Sequence, residues 1–144
     1  MILFYTHINI IRKLGFENFQ TVFTQEPDQA AALFQSSSRL VEGFECEVQS
    51  RGFSMIIDEP EMLGGTGKGP NPVEVVLSAL GVCQELTYRL FANKMETPIT
   101  GVSVAVVGSV NLRGFFAVYD IVRPRYSDIT ANVKIESSAS DEVI

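Results

Sequence analysis

Cys83 is the residue whose chemistry and setting are most informative in this sequence. It lies in a long apolar stretch, typical of a helix, that reads Asn71-Pro-Val-Glu-Val-Val-Leu-Ser-Ala-Leu-Gly-Val-Cys83. A thiol in such a stretch is either an inert core atom, as free cysteine usually is, or a sheltered nucleophile. Burial statistics alone favour the inert interpretation, so the surrounding residues decide.

A nucleophilic thiol needs a positive neighbour, because an ordinary thiol with a pKa of about 8.5 is only slightly ionised at neutral pH. The helix dipole cannot supply this charge, since Cys83 lies eleven residues beyond Pro72 and the dipole acts within the first turn. We predict that Arg51 stabilises the thiolate, with Arg39 as the second choice. The alternative for both arginines is a solvated surface position, and the sequence leaves it open.

Metal chemistry is not indicated. His7 is the only histidine, and it cannot form a metal site with two well-separated cysteines, Cys46 and Cys83. Cys46 alternates with polar residues in a predicted strand, which favours its interpretation as a core side chain. We therefore predict no metal ligands.

Nucleotide binding is not indicated either. The pair Gly67-Lys68 is similar to part of a phosphate-binding loop. That motif needs Gly at position 62 and Ser or Thr at position 69, where this chain has Met62 and Gly69. We predict no bound cofactor.

Composition narrows the class of protein. The chain has 144 residues, 46% hydrophobic and 19% charged, which predicts one globular domain with a core. A net charge of −6 argues against nucleic acid or an anionic membrane as a partner. The apolar N-terminal run is followed, not preceded, by Arg12 and Lys13, and it is too short to span a bilayer. Two cysteines fit reduced thiols, and we predict a cytoplasmic location.

The residues before position 72 predict a short helix followed by a β-hairpin. We interpret residues 1–25 as an extension of uncertain structure and residues 26–144 as the domain. A short helix begins near Pro27 and is broken at Ser36-Ser-Ser. Two strands, residues 44–48 and 53–57, flank a turn at Arg51-Gly52.

The rest of the chain predicts one long helix and two further strands. Asn71 caps a helix that runs to about Lys94, and Glu74 stands where a capping box places its acid. Alternating apolar residues predict strands over 102–106 and 129–135, and a last helix begins near Ser140. This order indicates an α+β fold with a mostly antiparallel sheet packed on the helix.

The long helix predicts its own packing. One stripe at helical spacing faces the core and contains Val76, Leu80, Cys83, Thr87 and Leu90. Gly81 destabilises a helix by about 1 kcal/mol relative to Ala. Because a helix would otherwise not keep a glycine at this position, we expect another backbone or side chain to pack closely against it. Because the helix is apolar nearly all round, we predict an obligate homodimer in which the helices of two subunits cross at Gly81.

Residues 39–140 resemble the OsmC/Ohr family of thiol-dependent peroxidases. The resemblance rests on Asp58-Glu59-Pro60, Gly64-Gly65, Gly67, Gly69-Pro70-Asn71-Pro72, the helix through Cys83, Gly101-Val-Ser-Val, Gly108 and Asn111-Leu-Arg-Gly114-Phe. It implies an intertwined homodimer with the cysteine helix at its centre. It also implies that Cys83 is a peroxidatic cysteine attacking organic hydroperoxides, with lipoyl-type or other dithiols as reductants. An arginine of the hairpin and a glutamate near the helix start then hold the thiolate, which points to Arg51 and Glu74.

The chain departs from the family pattern in two places. In the peroxidases the glutamate directly follows the helix proline, where this chain has Val73, so Glu74 is rotated by about 100° around the helix. Capping alone can explain Glu74. The chain also ends where the family's C-terminal helix, with its resolving cysteine, and last strand are expected. We interpret it as either a fragment or a one-cysteine variant.

Two functions follow as hypotheses. The first is a hydroperoxide reductase in which Cys83 attacks the peroxide and Arg51 activates the thiol. An apolar pocket formed by Val76, Leu80, Phe91 and residues of the partner subunit favours organic substrates. The second is a non-catalytic dimeric module of the same fold that binds small apolar ligands or thiols.

Overall fold

A computed structural model describes residues 15–140 of the chain. It divides into two compact units. The hairpin unit comprises Asn18–Val76, and the described part of the helix–sheet unit comprises residues 15–17 and 77–140. The fold is α+β, with antiparallel sheets and one long helix, as the sequence predicts.

The hairpin unit contains a three-stranded antiparallel sheet in the order β1-β2-β3. Its strands are β1 (Ser37–Glu42), β2 (Glu45–Ser50) and β3 (Phe53–Ile57). The predicted turn at Arg51-Gly52 is confirmed, and Cys46 of β2 lies opposite Leu40 and Ile57. The sequence missed β1, because its serines are typical of a break and only pairing with β2 makes them a strand.

The described residues before β1 form one helix that was not predicted and one helical turn that is shorter than predicted. Residues 15–25 form a helix, α1, although the sequence suggested only an extension of uncertain structure. The short helix predicted after Glu26 is a single 3-10 turn, Pro27–Ala30. His7 lies outside residues 15–140. The helix predicted to begin near Ser140 would continue beyond them.

Asp58 organises the loop between β3 and the long helix. Its side chain is 1% exposed, and its carboxylate accepts hydrogen bonds from the backbone amides of Glu59, Thr66 and Lys68 and from the Thr66 hydroxyl. The Thr66 hydroxyl, helped by the three amides, holds the pKa of Asp58 below its ordinary value, against burial, which raises it. Gly65 has no room for a side chain, because a Cβ there would lie 1.8 Å from the Glu59 carbonyl oxygen.

The helix–sheet unit pairs two long strands beside the long helix. Helix α2 (Pro72–Lys94) begins in the hairpin unit and continues here, followed by β4 (Ile99–Val110), a short helix α3 (Leu112–Phe115) and β5 (Tyr126–Ser137). β4 and β5 form a two-stranded antiparallel sheet. The predicted bounds of α2 are confirmed, and the two predicted strands are the central parts of β4 and β5.

The face of α2 that meets β4 is not the predicted apolar stripe. Gly81 is buried, and a Cβ there would lie 3.3 Å from Val106 Cγ2. Glu85 accepts a hydrogen bond from the Val104 amide at 3.1 Å, and Arg89 donates to the Ile99 carbonyl oxygen at 2.6 Å. Glu85 and Arg89 face the sheet because they form hydrogen bonds with backbone groups of β4. Gly81 faces it because the lack of a side chain allows helix and strand to approach closely.

The predicted core stripe is therefore wrong for this chain by itself. Its helix–sheet members are all exposed here: Leu80, Cys83, Thr87 and Leu90. Gly81 does pack closely, as predicted, but against β4 of its own chain. The role predicted for Gly81 at a helix crossing between subunits is wrong for the same reason.

Candidate functional site

The Cys83 thiol opens into a groove on the exposed side of α2. The groove encloses about 430 Å³ and is mostly apolar. Among the described residues, those that line it lie on this one helix: Cys83, Gln84, Thr87, Tyr88 and Phe91. Both cysteines are free thiols, Cys83 exposed and Cys46 half-buried. Cys83 is thus open to a small apolar molecule, and the interpretation of Cys83 as an inert core atom does not fit this chain.

Thr87 sits one turn beyond the thiol and has a fixed role in the helix. Its hydroxyl donates a hydrogen bond to the Cys83 carbonyl oxygen at 2.8 Å. Because the hydroxyl proton is used in this way, the Thr87 oxygen can only accept a hydrogen bond from a molecule in the groove. Among the described residues of its own unit, the Cys83 sulfur forms no hydrogen bond that would compete with an incoming ligand.

An aromatic cluster lies at the far end of the groove. The ring of Phe91 packs edge-on against Phe16 of α1, with ring centroids 6.0 Å apart and planes at 67°. The Lys94 ammonium lies 5.4 Å from the centroid of the same Phe16 ring. Phe91 is thereby held between the groove and the N-terminal helix.

The two arginine candidates lie in the hairpin unit. Arg39 of β1 donates to Glu47 at 2.6 Å, so its charge is paired. Arg51 occupies the β2–β3 turn with a left-handed backbone (φ 56°), and its guanidinium lies 5.3 Å from the Phe53 ring centroid. Among the described residues of the hairpin unit, Arg51 has no carboxylate as an ion-pair partner.

Glu74 takes part in a complete capping box. The Asn71 side-chain oxygen accepts from the Glu74 amide, and the Glu74 carboxylate accepts from the Asn71 amide. The local prediction for these two residues is confirmed. A role for Glu74 in holding the thiolate stays a prediction.

The groove contains one of the three residues predicted to line an apolar pocket, and the partner-subunit residues of that pocket stay a prediction. Phe91 lines the groove, whereas Leu80 is exposed outside it. The residues that the sequence missed are Gln84, Thr87 and Tyr88. Cys83, these three residues and Phe91 follow one another at spacings of 1, 3, 1 and 3, which places them on one side of a helix. This spacing is the sequence signal that could have identified the groove.

Comparisons with known proteins agree on one family. The model of the OsmC-like protein family matches residues 65–144, more than half of the chain. No curated protein sequence matches significantly.

Solved structures with the same fold include three from bacteria. An OsmC-like protein from Mycoplasma pneumoniae is 23% identical with a TM-score of 0.65, over 78% of this chain and 74% of that chain. An OsmC-like protein of unknown function from Vibrio cholerae is 10% identical with a TM-score of 0.63, over 77% and 79%. An organic hydroperoxide resistance protein from Legionella pneumophila is 19% identical with a TM-score of 0.56, over 78% of each chain. With the long cysteine-bearing helix and antiparallel sheets in place, the family match is decisive, and this chain belongs to the OsmC-like protein family.

Proposed function

We propose that this protein is a thiol-dependent peroxidase that reduces organic hydroperoxides through Cys83. The observation that carries the proposal is the position of Cys83: a free, exposed thiol at one end of an apolar groove. Membership of the OsmC-like family supports it, as does the likeness to a fold neighbour named an organic hydroperoxide resistance protein.

The proposed reaction has two steps. The Cys83 thiolate attacks the terminal oxygen of the hydroperoxide, the O–O bond breaks, and the alkoxide leaves as an alcohol after taking a proton. Cys83 becomes a sulfenic acid. A dithiol reductant, such as a lipoyl group in a cytoplasmic compartment, then returns the thiol and releases water, and the dithiol is oxidised to a disulfide.

The thiolate requires a positive partner, and we assign this role to Arg51. Arg39 is already paired with Glu47, whereas the Arg51 guanidinium contacts only an aromatic ring among the described ion-pair and ring contacts. Guanidinium is always charged, so it can hold a thiolate and a peroxide oxygen together.

We further propose that the active form is a homodimer. On the exposed side of α2, Val82 is 53% and Leu86 is 66% exposed. Large apolar patches on a chain mark an interaction surface, and a helix apolar nearly all round must be covered. By its length and composition, α2 could also be covered by a membrane. We favour a second subunit as its cover, because Glu85 and Arg89 bind the β4 backbone in the manner of a core helix.

The test is a peroxidase assay with cumene hydroperoxide and a dithiol, on the wild type and two variants. Cys83→Ser should abolish turnover, whereas Cys46→Ser, the matched control, should retain it. Mass spectrometry with a sulfenic-acid trap should find the adduct on Cys83. Equal inertness of both cysteines toward the peroxide would overturn the proposal.

A second candidate is a non-catalytic dimeric module that binds apolar ligands or thiols. The observation that favours it is the capping box, which accounts for an acid at position 74 without any catalytic role. The pH dependence of Cys83 alkylation separates the two functions. An activated thiol keeps its alkylation rate at neutral pH, whereas the thiol of a binding module reacts more slowly there than in mild alkali.

A further inference from the structure

We propose that Phe16, in the N-terminal helix α1, determines how well the Cys83 groove accepts long apolar substrates, by positioning Phe91. This inference rests on the proposed function and deepens it, since it assigns a specificity role to a segment outside the cysteine helix. Phe16 does not line the groove itself. It is a positioning residue that acts through the ring it touches.

The geometry of the groove sets the length of what it can hold. Cys83 and Phe91 lie eight residues apart on one helix, which corresponds to about 12 Å along the axis. A molecule that reacts at the sulfur therefore reaches Phe91 only if it carries an extended apolar group. The Phe91 ring then acts on long substrates and leaves short ones untouched.

The Phe91 ring is 46% exposed, and one ring packs against it. Phe16 makes this contact, at 6.0 Å between centroids and in the edge-on arrangement that aromatic pairs prefer. Phe16 is itself half-buried and lies beneath the Lys94 ammonium. A ring held on two sides is a rigid support, so the Phe91 wall keeps one orientation.

The experiment measures chain-length selectivity at the thiol and does not need turnover. Methyl and octyl methanethiosulfonate each form a mixed disulfide with a cysteine and release methanesulfinate. The rate at each cysteine is followed by mass spectrometry of the intact protein and its peptides. Cys46, in the hairpin unit, serves as the internal reference thiol.

We expect the octyl-to-methyl rate ratio at Cys83 to fall about fourfold or more in Phe16→Ala, since each fully buried methylene contributes roughly that factor. The ratio at Cys46 should not change. Phe16→Tyr keeps the ring and should retain the ratio. The matched control is Phe19→Ala, which removes an exposed ring of the same helix that stacks on Phe23, and it should also retain the ratio.

An unchanged ratio in Phe16→Ala, or an equal fall in Phe19→Ala, overturns the inference. Should Phe16→Ala fail to fold by circular dichroism, Phe16→Leu decides, because it keeps apolar volume but removes the ring, and an unchanged ratio there also overturns it. The peroxidase assay separates the two proposals. A shifted ratio without peroxidase activity removes the proposed function and keeps the positioning role, and the reverse result removes only the positioning role.

Discussion

Asn71 and Glu74 bind each other reciprocally, each side chain accepting a hydrogen bond of 2.9 Å from the other residue's backbone amide. Two amide donors at the start of α2 are satisfied by this pair, which fixes where the cysteine helix begins. The cap accounts for an acid at position 74. It also gives a direct way to separate capping from catalysis.

We expect Glu74→Gln to leave both stability and peroxidase rate close to the wild type, because glutamine keeps the accepting oxygen and loses only the charge. Asn71→Ala should destabilise the protein by about 1 kcal/mol, the usual contribution of a cap. Urea denaturation and the hydroperoxide assay measure the two effects. A tenfold or larger loss of rate in a stable Glu74→Gln would instead assign Glu74 to the active site.

Arg51 can be tested without disturbing the turn it occupies. Its backbone is left-handed, which asparagine tolerates better than most residues, so Arg51→Asn removes the charge and keeps the turn. We expect sulfenic acid formation to slow about tenfold to hundredfold, since a hydrogen bond to a charged group contributes about 1.5–3 kcal/mol. The matched control, Arg39→Asn, should remain near the wild-type rate in stopped-flow measurements. The opposite ranking would transfer the role to Arg39.

The hydrogen-bonded carboxylate of Asp58 predicts that the folded protein loses stability in acid. Its pKa is lowered in the folded chain by the Thr66 hydroxyl and backbone amides, so the unfolded chain binds the proton more readily. The stability it contributes is present above its ordinary pKa of about 3.9 and is lost as the pH falls through the lower folded value.

Asp58→Asn should therefore destabilise the protein at neutral pH, and its difference from the wild type should shrink below pH of about 4. Thermal melts over a pH series measure this difference. Asp28→Asn removes the same charge from an exposed 3-10 turn and should follow the wild-type curve. Parallel curves for wild type and Asp58→Asn would show that the carboxylate does not hold the loop.

The close approach of α2 to β4 limits the size of the side chain that position 81 can hold. A leucine there must push against Val106, whose Cγ2 lies 3.3 Å from the position of a Cβ. Overpacking costs about 1–3 kcal/mol, partly offset by about 0.8 kcal/mol of helix propensity, so we expect a net loss of about 1 kcal/mol. Gly52→Leu, where a Cβ meets no atom within 4 Å, is the control. Urea denaturation at one fixed protein concentration gives both values, and a neutral Gly81→Leu contradicts the packing.

Leu86 tests the proposed dimer. Leu86→Glu places a charge on the exposed apolar side of α2 and should shift the protein from dimer to monomer, because a charge buried without a partner costs several kcal/mol. Met62→Glu, at a side chain 86% exposed in the loop before α2, should leave the assembly unchanged. Analytical ultracentrifugation at micromolar concentration measures both. A wild type that is a stable monomer of 15.9 kDa refutes the proposal directly.

The sequence predicted the elements whose signals are local. The cap at Asn71, the helix from Pro72 to Lys94 and the hairpin around Arg51-Gly52 are confirmed, because caps, turn residues and strand alternation act between residues close in the chain. β1 was missed because its serines are typical of a break in the chain, and they form a strand only by pairing with β2. α1 was missed although Phe16, Phe19 and Phe23 recur at the helical spacings of 3 and 4, because these residues were included in the N-terminal extension.

What the sequence by itself determined is therefore a cysteine on a capped helix within an α+β chain of the OsmC-like kind. Which face of that helix meets the sheet was decided only by tertiary structure. Apolar periodicity favoured the stripe through Leu80 and Cys83, yet Gly81, Glu85 and Arg89 face β4. The physical reason is that the β4 backbone offers donors and acceptors which two polar side chains satisfy, and a glycine permits the approach. That choice leaves the thiol and its groove exposed.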